Sequence, residues 1–193
     1  STHCISSAAS DVYKRQVRGS KIEVAVMLTA FYGLRRSEVV GLKWNAVDFE
    51  QNTIEICHTV TTVRLDGKEV LVESNGTKTK SSKRTLPLVP VFRERLLALQ
   101  EEQKENRKLC GRCYNKKYAD YICVDAMGNL LKPDYLSNSF QIILQNYHLR
   151  RIRFHDLRHP YVKHTTKIFS LRLMDFQAQA YPDARRKTRG ACQ

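Results

Sequence analysis

Asp66-Gly67 lies between two runs of strand-forming residues, Val60 to Leu65 and Lys68 to Val72, and this restricts the fold more than any other stretch of the chain. Asp-Gly tolerates the two positive φ angles of a tight two-residue turn, so the flanking runs are expected to return antiparallel on each other. Just upstream, Thr53-Ile54-Glu55-Ile56-Cys57 alternates like a half-buried strand. A third run, Arg84 to Leu88, is expected to complete a small three-stranded antiparallel sheet. Lys78 and Lys80 then fall on the turn or strand entering that run.

Helices account for most of the rest. Ile22, Ala25, Val26, Thr29 and Ala30 recur at helical spacing from Lys21 onward, and Gly33 suits a C-cap. A second short helix is expected from about Ser37 to Leu42, with Glu38 in its first turn. Pro90 fits the first turn of another helix, which carries Phe92, Leu96, Leu97 and Leu99 and ends near Lys108. Residues 109–120 read as a polar connection. Tyr121 to Asp125 reads as a short strand before a turn at Met127-Gly128-Asn129. Tyr135 to Tyr147 reads as an amphipathic helix with Leu136, Phe140, Ile143 and Leu144 on one face. The fold class is therefore α/β, mainly α with a small antiparallel sheet.

Charge narrows the partners. The chain has 193 residues, with 33 Lys and Arg against 19 Asp and Glu, a net charge of +14. That excess favours nucleic acid, with an anionic membrane surface second. No apolar run has the length of a membrane-spanning helix, and no signal peptide is visible. Six cysteines are present without the spacing of a disulfide framework, which suits a cytoplasmic protein. Residues 1–16 read as a disordered or foreign tail, 17–159 as one domain and 160–193 as a divergent basic tail.

Two arginine motifs carry the chemistry. One is Gly33-Leu34-Arg35-Arg36-Ser37-Glu38 and the other is His155-Asp156-Leu157-Arg158-His159; between them lies Thr77-Lys78-Thr79-Lys80-Ser81-Ser82-Lys83-Arg84. Arginine offers a planar fork matched to two phosphate oxygens, and lysine and histidine can move protons. Each motif alone is more often a solvated or locally packed group. In this order, with Gly41-Leu42-Lys43-Trp44 after the first motif and Thr85-Leu86-Pro87-Leu88 after the lysines, residues from about 20 to 159 resemble the catalytic domain of tyrosine recombinases, or phage-type integrases.

The resemblance implies a set of roles. Arg35 and Arg158 would clamp the scissile phosphate of duplex DNA and stabilise the charge of a pentavalent transition state. Lys78, favoured over Lys80, would protonate the leaving 5′-oxygen. His155 would assist proton transfer, and Glu38 would orient Arg35. Arg36, Lys43, Lys80, Lys83, Arg84 and His159 would contact DNA. No metal, cofactor or small-molecule substrate is implied. Family members cut and rejoin DNA through a phosphotyrosyl link, acting as tetramers on paired sites to move mobile elements such as transposons. A bacterial, nucleoid-associated location follows.

After His159 the pattern changes. Pro160-Tyr161-Val162-Lys163 replaces the expected helix, no Leu-Gly-His occurs, and family spacing would put the nucleophile near Gly190. Tyr181 is the candidate nucleophile in the tail, ahead of that position. The abrupt change reads as an out-of-frame or rearranged end. Two other readings fit. One is a DNA-binding remnant without a nucleophile. The other is a zinc-stabilised interaction module centred on Cys110, Cys113 and Cys123.

Overall fold

Gly33 ends the first helix, as its position suggests. Helix α1 (Glu23–Tyr32) stops there because Gly33 takes the left-handed conformation, φ 67°, and its N–H returns to the Thr29 carbonyl at 2.9 Å. The computed structural model describes residue 17, residues 19–75 and residues 83–158. Lys78, Lys80, His159 and Tyr181, with both expected tails, lie outside the described residues. Helix α2 (Arg36–Val40) follows α1 almost at once and is shorter at its end than expected. It closes at Gly41, where the chain runs against the backbone of His58 and Thr59. A Cβ on Gly41 would stand 2.7 Å from the His58 carbonyl oxygen and from the Thr59 Cα.

The sheet has the expected size and sense but a different membership. Strands β1 (Val47–Asp48), β2 (Thr53–Ile56) and β5 (Arg84–Pro87) form it in the order β1-β2-β5, all antiparallel. Strands β3 (His58–Leu65) and β4 (Lys68–Asn75) form a separate two-stranded ribbon. The run at Arg84 thus completes a sheet on β2, with Ile56 opposite Arg84 and Thr53 opposite Pro87. The physical reason is burial. Ile54 and Ile56 point into the core, whereas the outer half of the ribbon runs out beyond it, with Leu65 55% exposed. Eight residues of strand extend about 26 Å. The Tyr32 hydroxyl donates to the Pro87 carbonyl at 2.8 Å and fixes the end of β5 to α1.

The hairpin turn is the one its sequence dictates. Leu65 pairs with Lys68, leaving a two-residue loop, and Asp66 and Gly67 have φ of 50° and 77°.

Helix α3 (Pro90–Cys110) starts with Pro at its first turn and runs past Lys108 to Cys110. It buries Phe92, Leu96 and Gln103, with Leu97 and Leu99 half-buried. The expected polar connection is partly this helix and partly two 3-10 turns, Gly111–Cys113 and Lys116–Tyr118. The expected strand at Tyr121 to Asp125 is not one. Only isolated bridges form there, Lys43 with Tyr121 and Val124 with Leu130. The Asp125 carboxylate accepts the N–H groups of Met127 and Asn129, each at 2.9 Å, and turns the chain before a ladder can extend.

Helix α4 (Pro133–Asn146) buries Leu136, Phe140 and Leu144, with Ile143 half-buried, the face the periodicity indicated. One apolar core joins α1, α2, β2, α3 and α4 with Phe154 and Leu157. Among the described residues no helix is long and apolar enough to cross a membrane.

Candidate active site

The site grows from the break between α1 and α2. Leu34 is fully buried and pins the chain, while Arg35 stays extended and caps α2. Three residues on, Glu38 folds back in the manner of a capping box, and its carboxylate accepts the Arg35 N–H at 2.8 Å. The same carboxylate takes Arg35 Nη1 at 3.0 Å. From β5, Arg84 reaches it with two prongs, Nη1 at 3.2 Å and Nη2 at 2.9 Å. Glu38 is a residue of the interior, 1% exposed, and Arg35 keeps 56% of its side chain in solvent.

Burial alone would raise the Glu38 carboxyl. Hydrogen bonds from Arg84 and Arg35, with the Arg84 charge, outweigh burial and hold it below its ordinary value. Glu38 is therefore an anion at neutral pH.

The second arginine motif arrives from the far end of the described chain. Residues Phe154–Arg158 form a 3-10 turn held by buried Phe154 and Leu157. Phe154 meets Phe140 of α4 edge-on at 5.7 Å. Arg158 Nε donates to the Gly33 carbonyl at 2.8 Å, two residues before Arg35. Burial, then the neighbouring Arg35 charge, lowers the Arg158 pKa; Arg84 adds to this and Glu38 opposes it. Two guanidinium groups thus bond one buried carboxylate while a third, that of Arg158, lies near enough to feel their charges, and the cluster keeps a positive excess. Such a cluster, part open to solvent, suits a phosphate. His155 is exposed on the same turn as Arg158.

The other candidates are spread wider. Arg36 binds Asp134 at 3.1 Å and Ser137 at 2.7 Å, tying α2 to α4. Lys43 lies over the Tyr121 ring, 4.7 Å from its centre. Lys83 pairs with Glu55 at 2.8 Å on the surface. Arg84 turns inward to Glu38, which sequence reasoning missed. The signal was the two-residue alternation of β5: Arg84 and Leu86 fall on the more buried face, Thr85 and Pro87 on the exposed one.

The three cysteines do not assemble. Among the described residues no group of three His, Cys, Asp or Glu side chains is placed to hold a metal. Cys123 is buried, which pushes its thiol up to about 12, and the Cys110 thiol donates to the Ala126 carbonyl at 3.4 Å. A stack of polar contacts also escaped the sequence: His58 Nε2 lies 2.9 Å from the Tyr121 hydroxyl, which donates to Glu73 at 2.7 Å.

Residues 7–166 match the model of the phage integrase family. The chain belongs to that family. A protein described as "Tyrosine recombinase XerC-like" from Caldanaerobacter subterraneus subsp. tengcongensis is 27% identical over 165 residues, 81% of this chain and 40% of the relative. The fold resembles the Tn1549 transposon integrase solved with a circular intermediate DNA, with TM-score 0.64 and 19% identity over 82% of this chain and 51% of that one. It also resembles the XerA recombinase, with TM-score 0.55 and 16% identity over 82% of this chain and 48% of that one. These structures establish the fold. The chain spans about half the length of the solved integrases and two-fifths of the curated relative it matches. Its arginine cluster sits on a tyrosine recombinase catalytic-domain fold, and site-specific DNA recombination is the general work of the family.

Proposed function

We propose that the arginine cluster holds the scissile phosphate of duplex DNA, and that site-specific strand cleavage and rejoining is the reaction it serves. The observation that carries this is the meeting of Arg158 with the Gly33–Arg35 segment, which gathers the two arginine motifs at one place. In the proposed reaction a tyrosine hydroxyl passes its proton to His155 as its oxygen attacks phosphorus, and the bond to the 5′-oxygen breaks. The leaving oxygen takes a proton from Lys78, and a 3′-phosphotyrosyl bond forms; rejoining reverses these steps. Arg35 and Arg158 stabilise the charge on the non-bridging oxygens, with His155 assisting. Tyr181 is the proposed nucleophile. The work implies paired DNA sites, a tetramer upon them, and a place beside the chromosome in the cytoplasm.

A second reading follows from Pro160 and the missing Leu-Gly-His: a protein that binds DNA without cutting it. A nicked duplex carrying the end sequence of the encoding element separates the two. An adduct that survives denaturation and vanishes in Tyr181→Phe supports cleavage. Salt-sensitive binding without an adduct supports the second reading. Absence of binding at low salt removes both.

A further inference from the structure

We propose that Arg84 is a positioning residue for the phosphate pocket and not itself a contact to DNA. This rests on the pocket reading above. Three observations carry it. The backbone of Arg84 is fixed by pairing opposite Ile56 in the sheet. Its side chain, 30% exposed against 56% for Arg35, meets both oxygens of Glu38, at 3.2 and 2.9 Å. The same two oxygens hold Arg35, through its N–H at 2.8 Å and its Nη1 at 3.0 Å.

The consequence is electrostatic. A buried carboxylate with a single cation beside it would neutralise that cation and draw it inward. Here Arg84 matches the charge of Glu38 from the protein side, so Arg35 keeps its positive charge in effect for an incoming anion. The two-pronged contact also locks the Glu38 side chain, and through it the start of α2, where Arg35 sits. Arg84 thereby acts on the phosphate through Glu38 and Arg35. Lysine in its place would keep the charge but lose the fork.

Inorganic phosphate and a mixed-sequence DNA duplex serve as probes, with the unchanged chain, Arg84→Gln and Arg84→Lys compared. Phosphate affinity is read from the shifts of the Arg35 and Arg158 Nε–H signals by NMR. DNA affinity is read as a function of salt. Arg84→Gln is expected to weaken phosphate binding about tenfold, Arg84→Lys to recover part of the loss, and the salt slope for DNA to stay unchanged. A salt slope lower by about one phosphate contact, with phosphate binding at Arg35 intact, overturns the proposal and makes Arg84 a DNA contact. A phosphate response in the unchanged chain that both variants retain in full overturns this role alone. Absence of any response in the unchanged chain overturns the pocket reading, and this role with it. Thermal midpoints identify a variant that does not fold; Arg84→Lys, which keeps the charge, then carries the comparison.

Discussion

Arg158 donates its Nε–H to the carbonyl of Gly33 at 2.8 Å across 125 residues of sequence. That bond turns one edge of the guanidinium toward the protein, and the left-handed Gly33 presents the carbonyl that receives it. A lysine at this position has no fixed fork to divide between a carbonyl and an anion. Arg158→Lys is therefore expected to weaken phosphate binding tenfold or more, at a cost of about 1 kcal/mol in stability for the lost hydrogen bond. Calorimetric titration with phosphate, beside urea unfolding, checks both. Equal phosphate affinity in the two proteins refutes the assignment.

Glu38 ties acid stability to the pocket. Its carboxyl lies below its ordinary value of 4.5: burial raises it, and Arg84 and Arg35 lower it by more. A depressed carboxyl contributes stability that is present above the unfolded value and lost as pH falls through the folded one. Urea midpoints should therefore hold above about pH 4.5 and decline below it. Glu38→Gln leaves two partly solvated guanidinium groups without their anion and should cost about 1–3 kcal/mol at neutral pH. Its curve should also be flatter in the acid range, though not flat, because Asp156 is depressed too: burial raises its carboxyl, and hydrogen bonds from Arg153 outweigh that. Parallel curves for the two proteins would show that Glu38 has no part in the acid response.

Gly41 is tight for want of space, not because of an unusual φ. The backbone atoms of His58 and Thr59 stand 2.7 Å from where a Cβ would go, and backbone cannot swing aside as a side chain can. Gly41→Ala should destabilise by about 2–3 kcal/mol by forcing α2 away from β3. Urea unfolding gives the value, and a change under 0.5 kcal/mol, roughly the scatter of neutral surface substitutions, would show that the contact relaxes freely.

Gln103 joins three parts of the fold. Its side-chain oxygen accepts Trp44 Nε1 at 2.9 Å and its amide donates to the Ile122 carbonyl at 2.8 Å. Gln103→Leu strips both partners of their bond and should cost about 2–4 kcal/mol. Trp44 is the single tryptophan of the chain, so its fluorescence reports the change directly. An unaltered emission spectrum and midpoint would mean that water replaces the glutamine without loss.

Local signals were legible and distant ones were not. Gly33, Asp66-Gly67, Pro90 and the α4 face Leu136-Phe140-Leu144 each act through neighbours in the chain, and each appears where the sequence places it. The partner of β5 depends instead on which strand carries buried side chains, and Ile54 and Ile56 settle that only in three dimensions. The strand expected at Tyr121 lost to the turn that Asp125 closes. At the site, Arg35, Glu38 and Arg158 were readable as motifs because they sit at helix starts and turns. Arg84 reads in the sequence as one more DNA contact in a basic stretch. Only the carboxylate it meets, 46 residues earlier, distinguishes it.

The ribbon of β3 and β4 leaves both of its outer edges without another strand among the described residues, and Val63, Leu65, Val70 and Val72 share one open face. Bare backbone edges beside exposed apolar side chains are where separate molecules stack into sheets. Arg64, Lys68 and Glu69 stand at the ribbon's tip, and Lys132 reaches Glu69 at 3.2 Å, tethering the ribbon to the body. These charges act as spacers against self-association, and salt weakens them. Added salt is thus expected to favour stacking of one ribbon on another, a consequence of the hairpin that does not involve Arg35, Arg84 or Arg158.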